Sequence, residues 1–355
     1  RASKLQVYEG TGMAEQEEVA PGDILVLAGI EDVHIGDTIC TREQPKALKR
    51  ISVDEPTVAM LFGPNTSPLS GQEGKLMQST RIRDRLKLET LRNVSLQMEE
   101  ASSEAFLVKG RGELQMAILI EIMRREGFEL TVGRPEVIFH EENGKRLEPI
   151  EEIFIDCEEQ FLGIISEKLS FRKGKMVNLV NHGSGRVRVQ FHVPTRGLIG
   201  YRSEFLTDTR GTGILNSYLL GYESFRGDFL TRLTGSLVSD RSGGAVAYAL
   251  FNLEPRGRMF ITPGTKVYQG MVIGEHNRDN DLNVNPCKEK KLTNVRASGK
   301  DDHVQLTPIL PLTLEQAIEF LAEDECLEVT PQSARLRKTH LVIQDRERHA
   351  KQKKG

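Results

Sequence analysis

A multidomain α+β architecture is predicted for this chain: a partial β-barrel, two ferredoxin-like βαββαβ domains in tandem, and a β-rich C-terminal domain with a long polar loop and a short helix. Three observations predict it. Two stretches, each of about 80 residues, repeat the same order of strand-like and helix-like patterns. Short strand patterns punctuated by glycine precede and follow them. The 355 residues also exceed what one ordinary core organises, which calls for about two to four domains.

The chain starts at Arg1 and runs at once into the strand-like Leu5, Val7 and Tyr8, which predicts a piece of a longer protein. Val19-Ala20-Pro21-Gly22-Asp23 then leads into an apolar run at 24–28, and a turn precedes 35–39. Short β-runs with Gly-Asp turns predict the second half of a barrel, here assigned to residues 1–48.

Residues 49–142 carry the first βαββαβ order. A strand is predicted at 57–62, a helix at 79–92 with Ile82, Leu86 and Leu91, strands at 94–98 and 105–108, a helix at 112–125, and a strand at 128–132. Leu114, Ile118, Leu119, Ile122 and Met123 recur at helical spacing and predict the buried face of the second helix. Residues 143–228 repeat the order: strand 150–157, helix 160–169, strands 176–180 and 187–193 around the turn His182-Gly183-Ser184-Gly185, helix 197–207, strand 213–220. The remainder, 229–355, reads as strands at 233–238, 245–253 and 267–273, a polar stretch over 276–305, and a short helix capped by Thr313 with Gln316 three residues on. Residues 345–355 read as a charged, frayed tail.

Composition narrows the function. With 38% hydrophobic and 28% charged residues the chain reads as a globular protein, and no apolar run approaches the roughly 20 residues that span a bilayer. Cys40, Cys157, Cys287 and Cys326 form no C-x-x-C pair, which fits reduced thiols in the cytoplasm better than a disulfide framework or a zinc site. A net charge of −3 leaves nucleic-acid binding to local basic patches.

No G-x-x-x-x-G-K-[ST] loop, H-E-x-x-H or G-x-S-x-G occurs, so neither nucleotide-triphosphate nor hydrolytic chemistry is indicated within the chain. Glu113, following Arg111 and Gly112, is read as serving the helix dipole rather than as a catalytic acid. Basic candidates remain. Lys288, Lys290, Lys291 and Arg296 fall in the polar stretch, opposed locally by Glu289, and Arg278, Asn280 and Asn294 add groups suited to phosphate, sugar or base edges. A lysine run alone is more often a solvated surface. Arg81, Arg83 and Arg85, and Arg335, Arg337 and Lys338, are further basic groups.

Several motifs carry a resemblance. Arg111-Gly112-Glu113-Leu114, Met123-Arg124-Arg125-Glu126-Gly127-Phe128 and Arg134-Pro135-Glu136-Val137 resemble domain III of the TypA/BipA family. Arg172-Lys173-Gly174, Gly185-Arg186-Val187-Arg188 and the run from Arg196 through Leu206 resemble its domain V. Gly274-Glu275-His276-Asn277-Arg278, Lys291-Leu292-Thr293-Asn294 and Arg296-Ala297-Ser298-Gly299 are similar to its C-terminal part. Two departures stand out: Gln115 where the family usually has His, and a poor match over 220–231.

The resemblance implies a ribosome-stimulated translational GTPase. GTP and Mg²⁺ would belong to an N-terminal domain missing from this chain, and no cofactor to the chain itself. It further implies ribosome binding (large subunit and 70S), large-subunit assembly, roles in cold, stress and virulence, and a polar loop at 278–300 that approaches ribosomal RNA and A-site transfer RNA. On it the RNA-binding candidates are Arg278, Asn280, Lys288, Lys290, Lys291, Asn294 and Arg296. A cytoplasmic monomer without a membrane partner is expected. The competing readings are a ferredoxin-like small-molecule sensor or regulatory module, and a hydrolase built on scattered carboxylates.

Overall fold

The computed structural model describes every residue except 1–2, 31–32, 34, 41–42, 44, 51–54, 182, 184, 230–231, 291–305, 310 and 353–355. The described residues form a mixed α/β structure of five sheets and eight α-helices. Strands β1 (Lys4–Glu9), β2 (Gly12–Glu15) and β3 (Leu25–Ala28) make an open antiparallel sheet in the order β2-β1-β3, not a closed barrel. The strand expected at 35–39 is not formed: Ile35 and Gly36 make a turn, and Ile35 and Ile39 are exposed. Among the described residues it pairs with no strand, and without a ladder a short apolar run stays irregular.

The first repeat comprises β4 (Val58–Pro64), α1 (Ser79–Arg92), β5 (Gln97–Glu100), β6 (Phe106–Gly110), α2 (Glu113–Arg125) and β7 (Leu130–Val132), with the short β8 (Glu136–Val137) beside β4. Its strands pair antiparallel in the order β7-β4-β6-β5, the fourth, first, third and second of the repeat. Helix α1 buries Ile82 and Leu86 and leaves Leu91 exposed.

Helix α2 differs from expectation in its buried face. Met116, Ala117, Leu119, Ile120 and Met123 enter the core, whereas Leu114, Ile118 and Ile122 are 57%, 53% and 38% exposed. The helix is apolar on nearly every side, so period alone does not choose a face. Contact with the sheet does. Gln115 ties the helix entry to the preceding loop. Its side chain accepts from the Arg111 amide (2.8 Å) and donates to Ser95 (2.6 Å).

The second repeat comprises β9 (His140–Glu142), β10 (Lys145–Glu158), α3 (Leu162–Phe171), β11 (Lys175–Asn181), β12 (Arg186–Pro194), α4 (Thr195–Leu198), α5 (Tyr201–Asp208) and β13 (Ile214–Ser224). The order β11-β12-β10-β13 reproduces that of the first repeat, with β9 on β10, and the two sheets share no strand. The single helix expected over 197–207 is broken at Gly200, whose φ of 73° lies in the left-handed region that glycine adopts without a Cβ penalty.

The last region comprises β14 (Ser236–Ser239), β15 (Gly243–Gly244), α6 (Ala247–Leu253), β16 (Gly257–Met259), β17 (Lys266–Val267), β18 (Val272–His276), β19 (Leu282–Val284), α7 (Leu314–Phe320), β20 (Glu325–Val329), β21 (Ala334–Lys338) and α8 (Ile343–Gln352). Three expectations are corrected here. The strand expected over 245–253 is mostly helix α6, because a nearly continuous apolar run fits either period, and its Ala and Leu content favours helix. The polar stretch contains strand β19, which pairs parallel with β14. Residues 345–352 of the expected frayed tail belong to helix α8, tied back by Arg346 donating to Asn283 at 2.6 Å.

The C-terminal strands are not confined to their own region. β20 pairs with β7 and β21 with β20, so they extend the first repeat's sheet to the order β21-β20-β7-β4-β6-β5. Leu314, Ala317, Ile318, Leu327 and Val329 join the core of Met60, Phe62, Phe106 and Ile120. A polar network pins this junction. Asn65 donates to Glu129 (2.8 Å) and Glu328 (2.9 Å), and Glu328 also accepts from Arg335 (2.9 Å) and Tyr268 (2.7 Å).

The capping box at Thr313 is formed as expected: its hydroxyl accepts from the Gln316 amide (3.3 Å), and the Gln316 side chain accepts from the Thr313 amide (3.1 Å). Thr313→Ala is expected to cost about 1 kcal/mol, read as a lower midpoint in chemical denaturation. An unchanged midpoint would show that tertiary packing alone holds α7.

Candidate RNA interface

The polar segment begins where β18 ends. His276 is buried, and its Nδ1 lies 2.5 Å from the Asn280 carbonyl, which closes the turn 277–281. The turn backbone sits on the start of β14: the Gly235 amide donates to the Arg278 carbonyl (2.6 Å), and the His276 amide to the Gly235 carbonyl (2.9 Å). A Cβ at residue 235 would collide with the Asn280 carbonyl, so this approach requires glycine. Asp281 then accepts the Ser236 amide at 2.8 Å, and β19 follows.

Lys338 anchors the base of this turn. Only 2% of its side chain is exposed, and its amine lies 2.5 Å from Asp281, 3.0 Å from Asp324 and 3.0 Å from Glu325. Burial alone would push the amine down, but Glu325, Asp281 and Asp324 outweigh it and hold the pKa above the ordinary lysine value. Glu325 is itself fully buried; its partners Lys338 and Arg232 overcome its desolvation and hold its pKa low.

Around this anchored base the candidates separate. Arg278 and Asn280 share the turn, both exposed, with the Asn280 amide donating to the Asp281 carbonyl at 3.2 Å. Lys288 and Lys290 are exposed beyond β19. Lys291, Asn294 and Arg296 lie outside the described residues. Nothing among the described residues brings the lysines onto the Arg278 turn, so the segment offers separated cations on one anchored base.

Of the other basic groups Arg81 is exposed, and the rest lie against partners of the fold. Arg335 pairs with Glu328 and Glu73, Arg337 donates to Thr66 at 3.0 Å, and Lys338 is buried as above. Arg85 is engaged by Glu126 (2.6 Å) and Glu89 (2.8 Å), and Arg83 lies 3.5 Å from Asp84. Arg335 and Lys338 of β21 meet carboxylates from distant segments, and no local pattern signals it. Sequence therefore does not distinguish Lys338 and Asp281 as anchors.

A catalytic reading finds little support. The cavity lined by Arg134, Arg172, Arg232 and Glu319 has a volume of about 200 Å³, below the range of about 300–1,000 Å³ usual for ligand pockets. Arg172 is engaged by Glu204 (2.8 Å) and Arg232 by Glu325 (2.8 Å). Among the described residues no group of three or more His, Cys, Asp or Glu could hold a metal ion. With no phosphate-cradling loop in the sequence, these residues do not fit GTP and Mg²⁺. No helix among the described residues is long and apolar enough to cross a membrane.

Comparison with known proteins agrees with this distribution of parts. Residues 145–233 match a family model described as the elongation factor G C-terminus, so the second repeat is of a translation-factor kind. Residues 234–342 match the TypA/BipA C-terminal domain. The chain is 48% identical over 350 residues to the large ribosomal subunit assembly factor BipA of Escherichia coli, covering 98% of this chain and 58% of that protein. Proteins of the same name from Haemophilus influenzae (48% over 350 residues, 98% of this chain and 57% of that protein) and Synechocystis (47% over 339 residues, 95% and 57%) are similarly close. The chain belongs to the TypA/BipA family. It spans less than two thirds of the length of these relatives.

Proposed function

We propose that this chain is the ribosome- and RNA-binding part of a TypA/BipA-type translational GTPase that acts in large-subunit assembly. The observation that carries the reading is alignment over 98% of the chain to a relative named as a large ribosomal subunit assembly factor. On this reading GTP and Mg²⁺ are bound by another domain of the whole protein, ribosomes stimulate its hydrolysis, and the protein works in the cytoplasm as a monomer. Roles in translation under cold or stress and in virulence belong to the same proposal. So do two ferredoxin-like domains at 49–142 and 143–228, after a barrel segment at 1–48 and before a family-specific domain at 229–355. The strand order of both repeats supports the ferredoxin-like assignment.

The RNA contact is assigned to Arg278, Asn280, Lys288, Lys290, Lys291, Asn294 and Arg296, facing ribosomal RNA or the A-site transfer RNA. The exposed, polar character of the described members supports it, since A-form RNA is recognised through phosphates, 2′-hydroxyls and shape. Replacing Lys288, Lys290, Lys291 and Arg296 together by Ala is expected to leave folding intact, at less than about 0.5 kcal/mol per exposed site. The same change should weaken co-sedimentation with 70S ribosomes and large subunits. It should also flatten the salt dependence, by about 0.7 to 0.9 in log–log slope for each phosphate no longer neutralised. Equal affinities and slopes for the two proteins across a salt series would refute the assignment.

A further inference from the structure

The second repeat packs its helices on one face of its sheet only. Ile153, Ile155, Val189 and Phe191 point into the core with Ile165, Leu169 and Phe205. By strand alternation Glu152, Phe154 and Asp156 of β10, Arg186, Arg188, Gln190 and His192 of β12, and Ile214 and Tyr218 of β13 lie on the opposite face. That face is open: Ile214 is 56% and Tyr218 51% exposed.

Its centre is an ordered aromatic pair. Glu152 is opposite Tyr218 in the register and Phe154 opposite Asn216, so Tyr218 is the diagonal neighbour of Phe154. Their rings lie 5.7 Å apart at 25°. The pair is fixed at the Tyr218 hydroxyl, which donates to the buried Glu152; Glu152 also accepts from the Gln190 amide and lies 3.3 Å from His192 Nε2. Its carboxylate oxygens are therefore occupied by neighbours on the same face. Asp156 is likewise engaged by Arg186 at 2.8 Å. Arg188 reaches Asp156 only at 3.6 Å, and its side chain is 59% exposed. Lys175, opposite His192 in the register, adds an exposed cation at the β11 edge.

We infer that this sheet face is a second RNA-binding surface, for single-stranded RNA, separate from the 278–300 segment. Fixed rings on the open face of this sheet offer a stacking platform to unpaired bases, which present a π-face whatever their sequence. Arg188 is the diagonal neighbour of Phe154 and Lys175 marks the β11 edge, a path where a strand's phosphates would run, and Glu152, Asp156 and Glu158 of the face already accept hydrogen bonds. A duplex hides its base faces and cannot use the platform.

The test is fluorescence anisotropy of the 355-residue chain with a short fluorescein-labelled oligouridylate and with a labelled RNA duplex of equal length. Binding of the single strand in preference to the duplex is expected. Tyr218→Ala should weaken it by about ten-fold, Tyr218→Phe should not, and Arg188→Glu should weaken it and lower the salt slope by about one. Arg188→Glu changes an exposed side chain and reads the proposal even if Tyr218→Ala fails to fold. No binding of the oligonucleotide, equal affinity for duplex, or unchanged affinity in both Tyr218→Ala and Arg188→Glu would overturn it; the first result would leave the face to a protein partner. The assay uses free RNA and sheet-face variants, so its outcome is independent of whether the 278–300 segment contacts the ribosome.

Discussion

Lys338→Met is expected to lower the stability of the C-terminal region by about 3 kcal/mol, near the lower end of what breaking a buried ion pair costs. The amine lies within 3.0 Å of Asp281, Asp324 and Glu325, and Met fills much of the same volume without the charge. Glu325, fully buried, would keep Arg232 at 2.8 Å, which is why the larger end of the range is not reached. The effect should be local first. Hydrogen exchange of the β14, β19 and β21 amides should accelerate, because Asp281 holds the Ser236 amide and Lys338 holds Asp281. The strands of the second repeat, which has a separate core, should keep their protection. Exchange unchanged at β14 and β21 would mean that Lys338 is solvated and that the base of the polar segment is held by backbone hydrogen bonds alone.

That anchor is invisible in the sequence, and the reason generalises to the rest of the chain. Helix α1 is legible to its ends, and the Thr313–Gln316 capping box is legible as such, because both are written in residues a few positions apart. The order of strands and helices along the two repeats is legible from patterns of the same local kind. What fails is either ambiguous in period or remote in sequence. Residues 245–253 and the all-round apolar α2 fit more than one arrangement, and only their neighbours decide. The pairing of β20 with β7 joins segments far apart, covering an edge of a short strand that would otherwise stay open, and neither segment announces the other. The candidate site is legible as an excess of Lys, Arg and Asn, a composition. Its frame, Lys338 with Asp281 and His276 with Asn280, is made of ordinary polar residues whose meaning lies in the contact.

Glu113→Gln is expected to flatten the pH dependence of stability between about pH 5 and 7 and to stabilise the protein above it. Glu113 opens α2 in the first repeat and accepts the Gly200 amide of the second at 3.0 Å, so it is a link between the two. Burial pushes its carboxyl up to about 7; the Gly200 hydrogen bond opposes this, Glu319 on α7 adds to it, and Arg202 and Arg172 draw it back. The Glu319 carboxyl is itself pushed up by burial, against the hydroxyl of Ser203 that donates to it at 2.8 Å. A carboxyl with its pKa raised on folding binds more protons in the folded than in the unfolded chain between the two values. Its contribution is therefore most favourable at low pH and is lost as pH rises from about 4.5 to about 7. A rise of this size corresponds to about 3 kcal/mol, and residual solvent access brings the expectation to about 1–3 kcal/mol. Gln keeps an oxygen for the Gly200 amide and carries no charge, so the variant should match the parent near pH 5 and exceed it at pH 8. Thermal midpoints of both proteins measured across that range give the difference directly, with every other titrating group common to the two. Parallel curves, with no gain for Gln at high pH, would mean that Glu113 ionises as a surface carboxylate does and that the contact between the repeats is indifferent to its charge.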